Sequence, residues 1–131
     1  MASALVLTPP PVTVLVAATT RLVGDLRTAA ADAIRVEHER IMTTAKRRTP
    51  VDTGALRASG HVQPTRGEAG GRLVSVGGFG GPAAPYAVVV HEDLTARHPV
   101  GQGKFYETSL LEAQRGLAER LAAHIRRRMT A

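Results

Sequence analysis

The chain has no cysteine and no tryptophan, and only two phenylalanines and two tyrosines among 131 residues. Without cysteine there are no disulfides, thiol nucleophiles or thiolate-held zinc, and a reducing compartment is expected. Without large aromatics the core is thin. Hydrophobic residues make up 44% of the chain, but many are alanines that bury little area each, so stability borrowed from neighbouring copies is expected. No apolar run approaches the roughly 20 residues of a membrane helix, so no membrane is expected among the partners. The opening MASALVLTPPPVTVLVAA has no basic segment ahead of its apolar stretch and is interrupted by Pro9, Pro10 and Pro11, which argues against a signal peptide. Length allows one domain over residues 1–131, made in the cytoplasm of its host.

What the chain does have is positive charge and helical periodicity. Seventeen Lys and Arg stand against eleven Asp and Glu, a formal net charge of +6, which suits a polyanionic partner as well as an ordinary solvated surface. Arg126, Arg127 and Arg128 form the one compact basic cluster near the C-terminus and are the candidate contacts to DNA or another polyanion. Residues 1–16 read as an extended, proline-stiffened arm followed by a short strand, because Val12, Val14 and Val16 alternate with Thr13 and Leu15. From 18 to 48, Leu22, Leu26, Ala29, Ala30, Ala33, Ile34, Ile41 and Ala45 recur at three-to-four spacing, the mark of a long amphipathic helix that Pro50 stops. Residues 57–92 read as sheet: strands over 58–63, 72–77 and 87–90, separated by TRGEAGG, a hairpin connection, and by the glycine-rich GGFGGPAAP. Helical spacing returns over 104–129 through Phe105, Leu110, Ala113, Leu117, Leu121 and Ile125. The expected class is α+β: an antiparallel sheet of three to four strands packed against a long N-terminal helix and a C-terminal helix, with an extended N-terminal arm.

Chemistry is hard to find in this pattern. HEDLT at 91–95 places Thr95 where a zinc protease needs its second histidine, and the five histidines are scattered, so no metal is expected. GGFGGPAAP lacks the Lys-Ser/Thr and helix start of a phosphate cradle, so no cofactor is expected either. Ser59 has no nucleophile-elbow context, and a hydrolase would need a convergent polar pocket that the spacing does not supply. The stacking aromatics of single-strand binders are missing, although a basic nucleic-acid-binding module remains the alternative.

The densest stretch is RRTPVDTGALRASG, 47–60. Pro50 ends the helix and extends Thr49, Asp52 can cap amides ahead of it through Thr53, Gly54 permits unusual backbone angles, and Leu56 drops into the core. This is a structural corner built on Pro50, Asp52, Thr53, Gly54 and Leu56.

Three blocks in order carry a resemblance. Thr49-Pro50-Val51-Asp52-Thr53-Gly54 with Leu56, Arg57 and Ser59, then Tyr86-Ala87 with Val90-His91-Glu92, then His98-Pro99-Val100-Gly101-Gln102 with Lys104-Phe105, together resemble the neck or tail-completion (head-tail joining, minor tail component) family of long non-contractile-tailed phages and prophages. The arm does not match, and Tyr106 stands where leucine is more usual. The resemblance implies a non-enzymatic virion protein at the head-tail joint, forming a ring with itself, six subunits in number. It would contact a connector or stopper ring above and the tail tube or terminator protein below, with DNA passing through the channel unread. It also implies that Tyr86, Ala87, His91, Glu92, Lys104 and Phe105 are structural or face a neighbouring subunit.

Overall fold

A computed structural model of the chain describes residues 12–51, 54–82, 84–94 and 101–131. Helix α1 (Val12–Arg48) is followed by the single turn α2 (Ala55–Ala58), strands β1 (His61–Val62), β2 (Arg66–Gly67), β3 (Leu73–Val74) and β4 (Gly77–Gly78), then α3 (Ala87–Glu92), α4 (Phe105–Ala113) and α5 (Leu117–Thr130). The class is α+β, with antiparallel strands and C-terminal helices packed on a long N-terminal helix. No described helix is long and apolar enough to cross a membrane.

The expected arm lies at residues 1–11, outside the described residues, but the expected strand at 12–16 is helix. A five-residue alternation is too short to set its own period. Once α1 exists, each added residue gains a hydrogen bond without a new nucleus, and among the described residues no strand partner competes. Threonine hydroxyls turn back onto the helix here, Thr19 to the Leu15 carbonyl (2.9 Å) and Thr28 to the Gly24 carbonyl (3.1 Å).

The expected sheet of three to four strands is instead one irregular ribbon. β1 pairs with β4 and β2 with β3, both antiparallel, with His61 opposite Gly78 and Arg66 opposite Val74. The Gln63 amide reaches the Val76 carbonyl (2.7 Å), so the two ladders form one hairpin. Pro64 and Thr65 then oppose Ser75 alone, a bulge at the point where proline has no amide to give the ladder. TRGEAGG does form the hairpin's far end, as its composition predicts. The third expected strand, 87–90, is α3. Ala87, Val90 and His91 share one helical face and turn inward, which satisfies burial without a strand neighbour.

The C-terminal helix expected over 104–129 is two helices. The chain breaks over 114–116, and Arg120 holds the break, donating from Nη2 to the Ala113 carbonyl (2.6 Å) and from Nη1 to the Arg115 carbonyl (2.6 Å). These are carbonyls that the end of α4 leaves without helical partners. The same guanidinium donates from Nε to Glu37 of α1 (2.9 Å), whose side chain is 5% exposed. One arginine therefore ties α1, α4 and α5 together.

Alanines make α1's contact surface with the body. Ala29, Ala33 and Ala45 are buried, and small side chains let α4 and α5 approach closely. Beside them His38 crosses to the hairpin, its Nδ1 bonded to Ser75 Oγ (2.7 Å) and its Nε2 to the Tyr106 hydroxyl. Burial holds the His38 pKa below its ordinary 6.5, against a smaller upward pull from Glu39, and burial also raises that of Tyr106. Because folded His38 binds its proton less readily than unfolded His38, its contribution is complete above about pH 6.5 and is lost as pH falls through the depressed value. Melting temperature is expected to drop between pH 7.5 and 5.5, and His38→Gln should flatten that drop. The depressed Glu92 carboxyl, held down chiefly by its Lys104 hydrogen bond, acts only below its ordinary 4.5 and does not enter this window.

Candidate functional site

The three sequence blocks meet in space. Their shared core is a cluster of Leu56 from the first block, Ala87 from the second and Phe105 from the third, closed by Ala84 and flanked by Phe79, Val90 and Tyr106. Phe105 is fully buried, with Phe79 (4.9 Å, 81°) and His91 (4.9 Å, 80°) both edge-to-face with it. Three of the chain's four Phe and Tyr side chains, Phe79, Phe105 and Tyr106, gather here.

The first block turns the chain as its residue types require. Thr49 is buried and closes α1 by donating to the Ala45 carbonyl (2.8 Å). Gly54 stands before α2 at φ 84, and Leu56 inserts into the core. Ser59 donates to the Leu56 carbonyl (2.6 Å) and accepts the Gly80 amide (2.9 Å), so the corner also anchors the glycine-rich loop. Asp52 and Thr53, expected as capping residues, lie outside the described residues, as do Ala83 and 95–100 with His98.

The third block packs onto this corner. Gln102 donates its amide to the Arg48 carbonyl (2.8 Å). Gly101, at φ 87, sits so close to the backbone that a Cβ there would lie 2.5 Å from Pro50 N and Thr49 C. Neither backbone can yield cheaply, and L side chains resist this φ. Gly101→Ala is expected to cost more than about 2 kcal/mol in chemical denaturation.

The second and third blocks are clamped by charge. His91 Nδ1 donates to Glu92 Oε1 (2.8 Å), and its Nε2 accepts the Glu107 amide (3.3 Å), supplying a cap for one of α4's first amides. Lys104 adopts a left-handed φ of 55 just before α4, with its ammonium on Glu92 and 3.0 Å from Glu107. Those carboxylates raise the Lys104 pKa.

The residues expected to be structural or to face a neighbour therefore divide. Ala87 and Phe105 are buried in the protomer's own core, so their side chains have no surface to offer another copy. His91, Glu92 and Lys104 are bonded to one another and to α4. Tyr86 remains outward, 41% exposed, as do Val88 (73%), Val89 (68%) and Leu94 (71%). These last three were not among the expected site residues; the helical period of 87–92, with 87, 90 and 91 inward, is the signal that points 88 and 89 out.

A groove of about 180 Å³ lies under α3, lined by Phe79, Ala87, Val88, His91, Glu92, Phe105 and Tyr106. A histidine–carboxylate pair stands at its edge, but both ring nitrogens of His91 are bonded, one of them to α4's backbone. Among the described residues no three side chains gather that could hold a metal ion. Arg126 and Arg127 are exposed at the end of α5, while Arg128 turns to Asp32 of α1 (3.4 Å). The basic cluster is thus two outward arginines and one partly neutralised.

No protein-family model, no curated protein and no solved structure matches this chain.

Proposed function

We propose that the chain is a structural protein of the head-tail joint of a long non-contractile-tailed phage or prophage. It assembles into a ring, six-membered as the sequence resemblance implies, between the connector or stopper ring and the tail tube or terminator protein. It acts by shape: it seals the joint and lets DNA pass, with no reaction of its own. It would act in the virion after assembly in the host cytoplasm.

The observation that carries this reading is the contrast on α3. Ala87, His91 and Phe105 of the motif are packed or bonded inside the protomer, while Val88, Val89 and Leu94 stand in solvent, as does the motif's own Tyr86. Adjacent exposed apolar side chains of this kind mark a contact surface. A head-to-tail contact between copies through such a face gives a ring where the rotation between them closes.

Native mass spectrometry of the purified protein tests it. The wild type should give a discrete ring, and Val88→Glu with Val89→Glu should break it into smaller species while changing stability by less than about 0.5 kcal/mol, as exposed substitutions do. A ring that survives both charges would remove α3 from the interface. The nucleic-acid alternative draws on outward Arg126 and Arg127. It would be favoured by DNA binding in solution that weakens steeply with salt and is lost in Arg126→Ala with Arg127→Ala.

A further inference from the structure

The first part of α1 stands apart from the rest of the protein. Every residue from 12 to 28 is exposed. The body reaches it only from residue 25 onward, where Asp25 and Thr28 line a cavity with Arg128, Met129 and Ala131 at the end of α5, and where Arg27 donates to the Gly71 carbonyl at the hairpin tip (3.1 Å). Residues 12–24 therefore project as about 20 Å of helix beyond the body.

This segment is a poor helix by composition. Val12, Thr13, Val14, Val16, Thr19, Thr20 and Val23 are β-branched, and Gly24 follows them. Such a stretch gains little from propensity and depends on burying a face. It has one: Val12, Leu15, Val16, Leu22, Val23 and Leu26 are all exposed and, with Thr19, form a single stripe at helical spacing. The stripe runs on without a break through Ala30, Ala33, Ile34, Glu37 and Ile41, the face that the body covers.

We infer that two copies of the chain pair through this stripe, with their α1 helices antiparallel and Thr19 at the two-fold axis. The stripe is its own mirror image about Thr19: Val12 falls opposite Leu26, Leu15 opposite Val23, and Val16 opposite Leu22. Every large side chain of the exposed stripe then meets an apolar one. Arg21, Asp25 and Arg27 lie off the stripe, so no charge is trapped in the seam, and the antiparallel helix dipoles attract.

A parallel pair is excluded by the body itself. Beyond residue 28 the same face of α1 is occupied by the protomer's own elements, so two parallel helices would have to splay apart. In the antiparallel pair the two bodies sit at opposite ends, and among the described residues the overlap runs from 12 to 26. The contact does not rest on the ring reading. It closes on itself and, combined with a cyclic contact through α3, joins two rings back to back, a form of the free protein before it docks between unlike neighbours.

The absence of cysteine makes the test direct. In the full chain, Thr19→Cys should be joined to a dimer by a short bismaleimide, whereas Val12→Cys, at the far end of the seam, and Arg21→Cys, on the outer face, should stay monomeric under the same treatment. Leu22→Glu added to Thr19→Cys should abolish the cross-link, with the thermal melt of the body unchanged. Sedimentation of the wild type as a monomer, or a Val12→Cys product as abundant as that of Thr19→Cys, would overturn the inference. Loss of larger assemblies in the Val88→Glu, Val89→Glu protein with the Thr19→Cys cross-link retained would show that the two contacts are independent.

Discussion

Arg120→Ala is expected to cost about 3–5 kcal/mol and to lower the melting temperature by more than about 10 °C. The reason is what it leaves behind. Glu37, with its side chain 5% exposed, would keep only Arg40 at 3.8 Å, and the Ala113 and Arg115 carbonyls at the break between α4 and α5 would lose their donor. An uncompensated carboxylate in such a place costs far more than the pair itself contributes. Arg120→Lys should recover little, because three acceptors in different directions are met by three nitrogens of one planar group. Arg128→Ala is the control: its pair with Asp32 is open to solvent on both sides, and its loss should cost less than about 0.5 kcal/mol. A loss below about 1 kcal/mol for Arg120→Ala in urea denaturation would mean that α5 is held by its apolar contacts alone.

Phe105→Ala is expected to cost a similar amount, about 3–5 kcal/mol, from the lost burial and the cavity left among Leu56, Ala84, Ala87 and Phe79. Phe105 is the only large side chain fully buried in that cluster, so its loss removes the cluster's anchor. The effect should also be local. His91 rests on the Phe105 ring and caps α4, so truncation loosens the joint between α3 and α4 before it loosens α1. Hydrogen exchange should show protection lost first over 87–92 and 105–109, with 29–48 retained until global unfolding. Equal loss across both regions would show a single cooperative unit instead.

How much of this could be read beforehand depended on the length of each pattern. The three-to-four spacing across 18–48 carries many repeats, and that helix stands as read, as do the stop at Thr49 and Pro50 and the inward Leu56. Short apolar runs carry no such redundancy. VTVLV and AVVV both read as strands from β-branched content, and both are helices because one extends α1 and the other turns Ala87, Val90 and His91 towards Phe105. The break near Gly116 has a signal in the sequence, a glycine inside an otherwise helical pattern, but the apolar spacing continues in phase across it. Glu37 also left a trace: it occupies a slot in α1's apolar stripe, where a carboxylate needs a buried partner. Which arginine would answer it depends on how α5 folds back, and nothing local in the sequence specifies that.

The blocks behind the family resemblance now have a physical role as well. Leu56, Ala87 and Phe105, one from each block, pack together, and Gly101 presses against Pro50. They build the lobe that presents Val88 and Val89. The pattern that marks the chain is thus a folding pattern, and the surface that would do the work lies on residues between the marked ones.

The central proposal is a place in a particle, and the direct measurement is a cryo-EM reconstruction of the neck of virions that carry this chain. The expected result is a ring at the head-tail joint into which the 37-residue helix α1 and the α3–α4 lobe can be fitted, with Val88 and Val89 between adjacent subunits. A neck fully accounted for by other proteins, with this chain absent or located elsewhere in the particle, would contradict it.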